Sequence, residues 1–416
     1  MKSAKINRCR FCGNTSLIPS INIGEQYLSS IFPKDLSYRG TLQKEPLDLV
    51  LCEKKENSCG ALQLGHSFDM SKMYDEYPFT SSTNSSMPKI LKDVLDSALE
   101  YVSLSENDLV LDIGGNDGTL LSYLQNTKCD LLCIDAAKNI KPVFNSPKFK
   151  IVNGFFNEKT FKSVSDKKAK LIFSIAMFYH LHDTVQFSKD AASCLADDGI
   201  WVIQMAYLPA MIKTNMYDNI VHEHAGYYGA DHMRWFMEQA GLEIFDVTLN
   251  DVYGGSFRVF IKKKGCAKYA PTERYRQILK DEIEFGIYDP ATYDSFMKRV
   301  EKTRSDLITL CKKIKAEGKK IWIYGASTKG NTILQFCGIG SDLIEAAADS
   351  NPFKFGKYII GADIPVKNED EMRAAKPDYL LALPYSFIDG FIKRETDLLR
   401  KGVKFILPLP EVKIIP

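Results

Sequence analysis

The sequence contains no apolar run approaching the ~20 residues that a membrane-spanning helix requires. Its 54 basic and 52 acidic residues leave a net charge of only +2. The first absence argues against a helical membrane span. The second removes the electrostatic footprint expected of a nucleic-acid or anionic-membrane partner. The N-terminal stretch MKSAKINRCRFCGN lacks an apolar core, so no signal peptide is read there and a cytoplasmic protein is expected. Histidine is also scarce, at six in 416 residues. Yet four of the six fall in two H-x-H pairs, HLH (180–182) and HEH (222–224).

What is present is the composition of an ordinary globular protein, 45% hydrophobic and 25% charged. At about 100–200 residues per domain, the length implies roughly two to four domains. Ten cysteines in a reducing compartment do not suggest a disulfide framework. Cys129, Cys133, Cys194, Cys266, Cys311 and Cys337 are scattered through apolar or helical surroundings and read as inert thiols. Cys9, Cys12, Cys52 and Cys59 differ, because CRFC is a tight knuckle and a second pair follows in LCEKKENSC, each followed by a glycine, Gly13 and Gly60. Four thiolates from two loops suit a structural zinc ion, with no open position for catalysis. The wide second spacing leaves His66 as an alternative fourth ligand. A segment this small buries little core, so the metal would supply folding energy.

LVLDIGGNDGTLLSYL (109–124) reads as a buried strand, a glycine turn and a helix. Backbone amides at such a turn, next to a helix N-terminus, form a nucleoside or dinucleotide site. The following strand, CDLLCID, ends in Asp135, placed to accept from a ribose diol. A nicotinamide fingerprint is G-x-G-x-x-G, whereas D-x-G-x-x-x-G (112–118) better suits S-adenosylmethionine (SAM). The site drawn from this pattern comprises Asp112, Gly114, Asn116, Asp117, Gly118, Asp135, Phe155, Phe156 and Met177. Further strands are read at 148–156, 169–178 and 199–207. Charged, helix-periodic sequence at 265–316 forms a connector, and KKIWIYGASTKGN opens a second strand–turn–helix unit. GASTKGN offers Ser327, Lys329 and Asn331 at a helix start, a cradle for a pyrophosphate; it lacks the P-loop order.

The ordered set CRFCG, YPFTSS (77–82), LDIGGNDGTLL, HLHD, HEHAGYY (222–228), GGSFRVF (254–260) and GASTKGN resembles the sugar C-methyltransferases over nearly the whole chain. The resemblance implies an α/β protein in three parts: a zinc-binding domain (1–75), a class I SAM-dependent methyltransferase domain (76–262), and a second Rossmann-like domain (263–416). It implies SAM and structural zinc as cofactors, and as substrate a nucleotide-linked 4-keto-6-deoxyhexose, carried on GDP or dTDP and methylated at C3. The product would serve surface-polysaccharide or deoxysugar synthesis, by a monomer or homodimer. The family commonly carries a tyrosine just before HEH, where this chain has Val221.

Methylation of carbon beside a ketone needs a base with a pKa near working pH, which histidine offers. It also needs donors for the developing enediolate. By resemblance His224 is the candidate base, with Glu223 orienting it or a sugar hydroxyl. His180 would polarise or protonate the enolate oxygen, Tyr77 would reach in from the N-terminal segment, and His222 stands beside them. Tyr227 or Tyr217 would cover the tyrosine that Val221 replaces, with Tyr227 also counted as a substrate contact. Three alternatives stay open: a metal shared by the two H-x-H pairs, methylation of a sugar oxygen, and a non-catalytic SAM- or sugar-binding assembly protein. His66 and His232 are expected to be structural.

Overall fold

The computed structural model describes residues 3–68, 77, 79–83 and 86–415. Its central sheet has seven strands, in the spatial order Leu242–Asn250, Ser256–Lys263, Leu195–Ala206, Ala169–Ile175, Leu109–Ile113, Asp130–Asp135 and Phe149–Asn153. The last five in that list are parallel, and Ser256–Lys263 runs antiparallel between its neighbours. Leu109–Ile113 is buried along its whole length, as a strand covered on both faces must be. The strand order reverses direction between Leu109–Ile113 and Ala169–Ile175, and the crevice at their carboxyl ends is where ligands of such sheets bind.

A second seven-stranded sheet lies in the C-terminal third, in the order 358–359, 364–368, 346–349, 321–324, 379–382, 404–407 and 413–415. Its inner five strands are parallel and its two edges antiparallel. The corresponding reversal falls between Ile321–Tyr324 and Tyr379–Ala382. A 27-residue helix, Pro290–Ala316, leads into this sheet and starts where Asp289 accepts from the Ala291 amide. Its buried residues Tyr293, Phe296, Val300, Thr303, Leu307, Cys311 and Ile314 recur at three and four positions, one stripe of an α-helix. The charged remainder faces solvent, as the sequence suggested for the connector.

The N-terminal sheet is antiparallel, in the order Gly226–Tyr227, Leu62–Leu64, Glu45–Cys52 and Leu17–Gln26. Its first strand comes from the middle of the chain: Gly226 and Tyr227 pair with Gln63 and Leu62. The opposite face of this sheet, through Ile21, Ile23 and Leu49, shares one hydrophobic core with the long helix and the C-terminal sheet. The three parts are thus packed into each other rather than strung along the chain. Among the described residues, no helix is long and apolar enough to cross a membrane.

Candidate active site

Both sheet reversals open onto a single cavity of about 710 Å³. On one side lies the turn after Leu109–Ile113. Gly114 adopts φ 71°, and a Cβ there would meet Met177 Cγ at 3.0 Å, so the close approach of two loops requires glycine. Asp112, 3% exposed, ends the strand, and burial beside Asp135 and Asp117 pushes its carboxyl up to about 8. Asp135 accepts from the amides of Asn116 and Ala137, both at 2.7 Å. The Asn116 side chain accepts from the Ser81 amide at 2.8 Å and donates to the Phe79 carbonyl at 3.1 Å. It therefore clamps the YPFTSS segment over the turn.

Of the residues expected at the SAM site, Asp112, Gly114, Asn116, Asp135, Phe155, Phe156 and Met177 line the cavity. Asp117 and Gly118 do not. Asp117 is fully buried, accepting from the Ser82 amide, the Thr119 amide and the Thr119 hydroxyl. Gly118 caps the short helix behind it. Carboxyl groups at the ends of two adjacent strands fit a ligand bearing a ribose diol, as SAM does.

Also at the cavity, the HEH part of HEHAGYY forms a turn ahead of the strand Gly226–Tyr227, and its two histidines diverge. His222 Nε2 lies 3.2 Å from the Glu45 carbonyl and its ring stands edge-on to Phe68, off the cavity wall. His224 lines the cavity, with Nδ1 2.8 Å from the Asn219 carbonyl. A carbonyl accepts only, so Nδ1 carries the hydrogen and Nε2 keeps the lone pair. His180 stacks 5.4 Å from it and Tyr179 stands 4.2 Å away, ring centre to ring centre. Burial pushes His180 down to about 4. Burial, with His180 and Lys329 nearby, holds His224 well below the ordinary histidine range. Both rings are neutral at neutral pH, so His180 can polarise an oxygen through N–H but is not a cationic acid there. Half-buried Glu223 also lines the wall, its carboxyl raised by burial. Tyr77 lines it too, its backbone joined to Asn139 by two hydrogen bonds of 2.9 Å.

The C-terminal sheet contributes Ser327, Thr328, Lys329 and residues 383–387. Ser327 Oγ accepts from the Gly330 amide and caps its helix. Lys329 is the one lysine or arginine on the wall among the described residues, and its ammonium donates to Asn219 Oδ1. Asn331 is 1% exposed and off the wall, and among the described residues neither polar atom of its side chain has a partner. The Tyr227 hydroxyl donates to the Asn219 carbonyl, and the Tyr217 hydroxyl lies 3.6 Å from Cys337 Sγ. Neither is on the wall; Tyr179, Tyr253 and Tyr385 are, and nothing in the local pattern marked them.

The four N-terminal cysteines meet as one cluster, their sulfurs all within 4.8 Å. Cys9–Cys59 and Cys12–Cys52 are 3.5 and 3.6 Å apart, close to the roughly 3.8 Å edge of a zinc–sulfur tetrahedron with 2.3 Å bonds. Donors surround the sulfurs: the Gln63 amide reaches Cys9 at 3.0 Å, and Asn14 reaches Cys52 at 3.5 Å. Amides of Phe11 and Ala61 point at Cys9 and Cys59. Such donors stabilise thiolates, so the set fits zinc. His66 instead pairs with Asp48, and His232 bridges the Gly229 amide and the Gly60 carbonyl. Among the described residues, the H-x-H pairs form no metal-holding group.

A parallel sheet with this order, an acidic strand end and a glycine turn defines a class I SAM-dependent methyltransferase. Three family models divide the chain: a zinc binding domain over 9–74, a Methyltransferase domain over 84–247, and a C-methyltransferase C-terminal domain over 251–410. The chain is 28% identical to the C-methyltransferase NovU of Streptomyces niveus, over 99% of this chain and 97% of that protein. The three matches run in order along nearly the whole chain, which is a SAM-dependent C-methyltransferase. Among solved structures it is similar to a SAM-dependent methyltransferase from Clostridium acetobutylicum (12% identity, TM-score 0.31, 42% of this chain and 92% of that one). It is also similar to the plantazolicin methyltransferase BamL (14%, TM-score 0.34, 43% and 85%).

Proposed function

We propose that the enzyme methylates C3 of a nucleotide-linked 4-keto-6-deoxyhexose, with His224 as the base. The observation that carries this reading is the neutral His224, its Nε2 lone pair without a partner among the described residues, stacked near His180 in the cavity that Asp112 and Asp135 also line. His224 Nε2 takes the C3 proton, and the electron pair left behind forms the enediolate with the C4 ketone. An N–H of neutral His180 and the Tyr77 hydroxyl supply donors for the O4 charge, which a water-poor pocket makes more effective. SAM would be held by Asp112, Gly114, Asn116 and Asp135 and would supply an electrophilic methyl group, leaving as S-adenosylhomocysteine when its sulfur–methyl bond breaks. The C4 ketone re-forms as C3 takes the methyl group, and His224 then releases its proton to solvent. Holding C3 in line with that methyl group contributes as much as ~7–11 kcal/mol in well-oriented cases. A soluble sugar nucleotide is the natural source of a compact polyhydroxy ketone for a cavity of this size, and the product would enter surface-polysaccharide or deoxysugar synthesis.

The test is a panel of nucleotide-linked 4-keto sugars (GDP, dTDP, UDP, CDP) in deuterated water, with and without SAM, read by mass spectrometry. Deuterium at C3 without SAM, and a new methyl group with it, is expected from one member. Methyl transfer without any exchange would replace this reading with oxygen methylation.

A further inference from the structure

The tautomer of His224 is set by one atom, the Asn219 carbonyl 2.8 Å from Nδ1, and this oxygen also accepts from Tyr227 at 3.3 Å. Asn219 ends a single turn, Tyr217–Asn219, too short to hold its own geometry. What holds it comes from two helical segments of the C-terminal domain, Thr328–Cys337 and Tyr385–Phe387. Lys329 donates to Asn219 Oδ1, Thr332 Oγ1 donates to the Ile220 carbonyl at 3.3 Å, and the Tyr385 hydroxyl donates to Asp218 at 3.1 Å. Three donors from one domain thus grip three consecutive residues of the loop that carries the base. The Lys329 ammonium also faces the Tyr253 ring at 5.6 Å, so its surroundings are protein on two sides.

We propose that Lys329 is a positioning residue that acts through Asn219 to fix the Nδ1–H tautomer and the aim of His224. The C-terminal domain then completes the base as well as receiving substrate. This differs from a phosphate ligand, which would act on substrate affinity. The proposal rests on His224 being the base; its spectroscopic test does not. Where a catalytic imidazole is forced into the wrong tautomer, losses reach about 10⁴-fold. Here the carbonyl stays in the chain and only its placement is loosened, so a smaller loss is expected.

The experiment uses the full-length, zinc-loaded protein with ¹⁵N-labelled histidine, without SAM or sugar. The His224 imidazole signal is assigned by its disappearance in His224→Gln. Wild type should show the Nδ1–H form; an Nε2–H form in wild type overturns the proposal without any variant. Lys329→Met should shift the signal toward a tautomer mixture. The pair Lys329→Met with Asp218→Asn, which leaves no buried charge unpaired, should do the same. In both, kcat should fall at least about tenfold while KM for the keto sugar stays within about threefold. An unchanged tautomer in both variants overturns the proposal. So does a rise in KM beyond about tenfold with kcat preserved, which would make Lys329 a phosphate ligand. Full turnover by His224→Gln would remove the base reading alone, and the spectra would still decide what Lys329 positions.

Discussion

At the scale of single residues, the site is built by burial more than by charge pairing. His180 and His224 lie so far from water that their charged forms are disfavoured, and His224 has a second imidazole beside it that opposes a proton. A folded value below the ordinary ~6.5 means the neutral base persists as the solution is acidified. The kcat/KM profile should therefore stay within about twofold between pH 7 and 5.5, its acid limb displaced below 6.5. A limb centred on 6.5 in rate measurements would place the base elsewhere. His224→Ala should abolish methyl transfer, a loss of at least about 10²-fold, with SAM affinity by calorimetry within a few-fold; retention of most of the rate would end its candidacy. The local sequence marked His180, Glu223 and His224, because proton-handling groups in a sparse background stand out. It did not mark Tyr179 or Tyr385, whose approach to the cavity is a matter of long-range packing, nor the burial of Asn331.

Elements explain which stretches were legible. The strand–turn–helix at 109–124 is local: alternation of strand, glycine and helix is written in consecutive residues, and the structure forms it there. Asp117 and Gly118, expected at the SAM site, lie behind the cavity wall, where Asp117 accepts from the amide and hydroxyl of Thr119 at the start of the short helix. The H-x-H spacing of HEHAGYY left a shared metal open, whereas the segment's only strand, Gly226–Tyr227, pairs with residues some 160 positions away. No window of sequence contains that information. The clamp between Asn116 and Phe79–Ser81 gives a test at this scale. Asn116→Ala leaves the buried Ser81 amide without its acceptor, a cost of about 1–3 kcal/mol. SAM affinity should fall by about tenfold by equilibrium binding, and the melting temperature should drop by a few degrees. Unaltered affinity would mean the segment is held by other contacts.

For the whole molecule, the zinc cluster and the active site are joined through a chain of contacts. Gln63 donates to Cys9 and accepts from Arg10, while an Arg10 guanidinium nitrogen sits 3.0 Å from His182 Nδ1 on the cavity wall. The same sheet carries Gly226–Tyr227 directly after His224. Removing zinc by chelation should thus abolish turnover while SAM binding by the central sheet stays within a few-fold; equal loss of both would mean the whole chain unfolds with the metal. The pairing of Gly226–Tyr227 with Leu62–Gln63 also sets a timetable for synthesis. The edge at Leu62–Leu64 leaves the ribosome first and waits for roughly 160 further residues before its partner strand exists. At about 5–20 residues per second that is on the order of ten seconds with an open strand edge. The loop carrying His224 then waits again for Lys329, so the proposed base would be aimed only after most of the chain has been made.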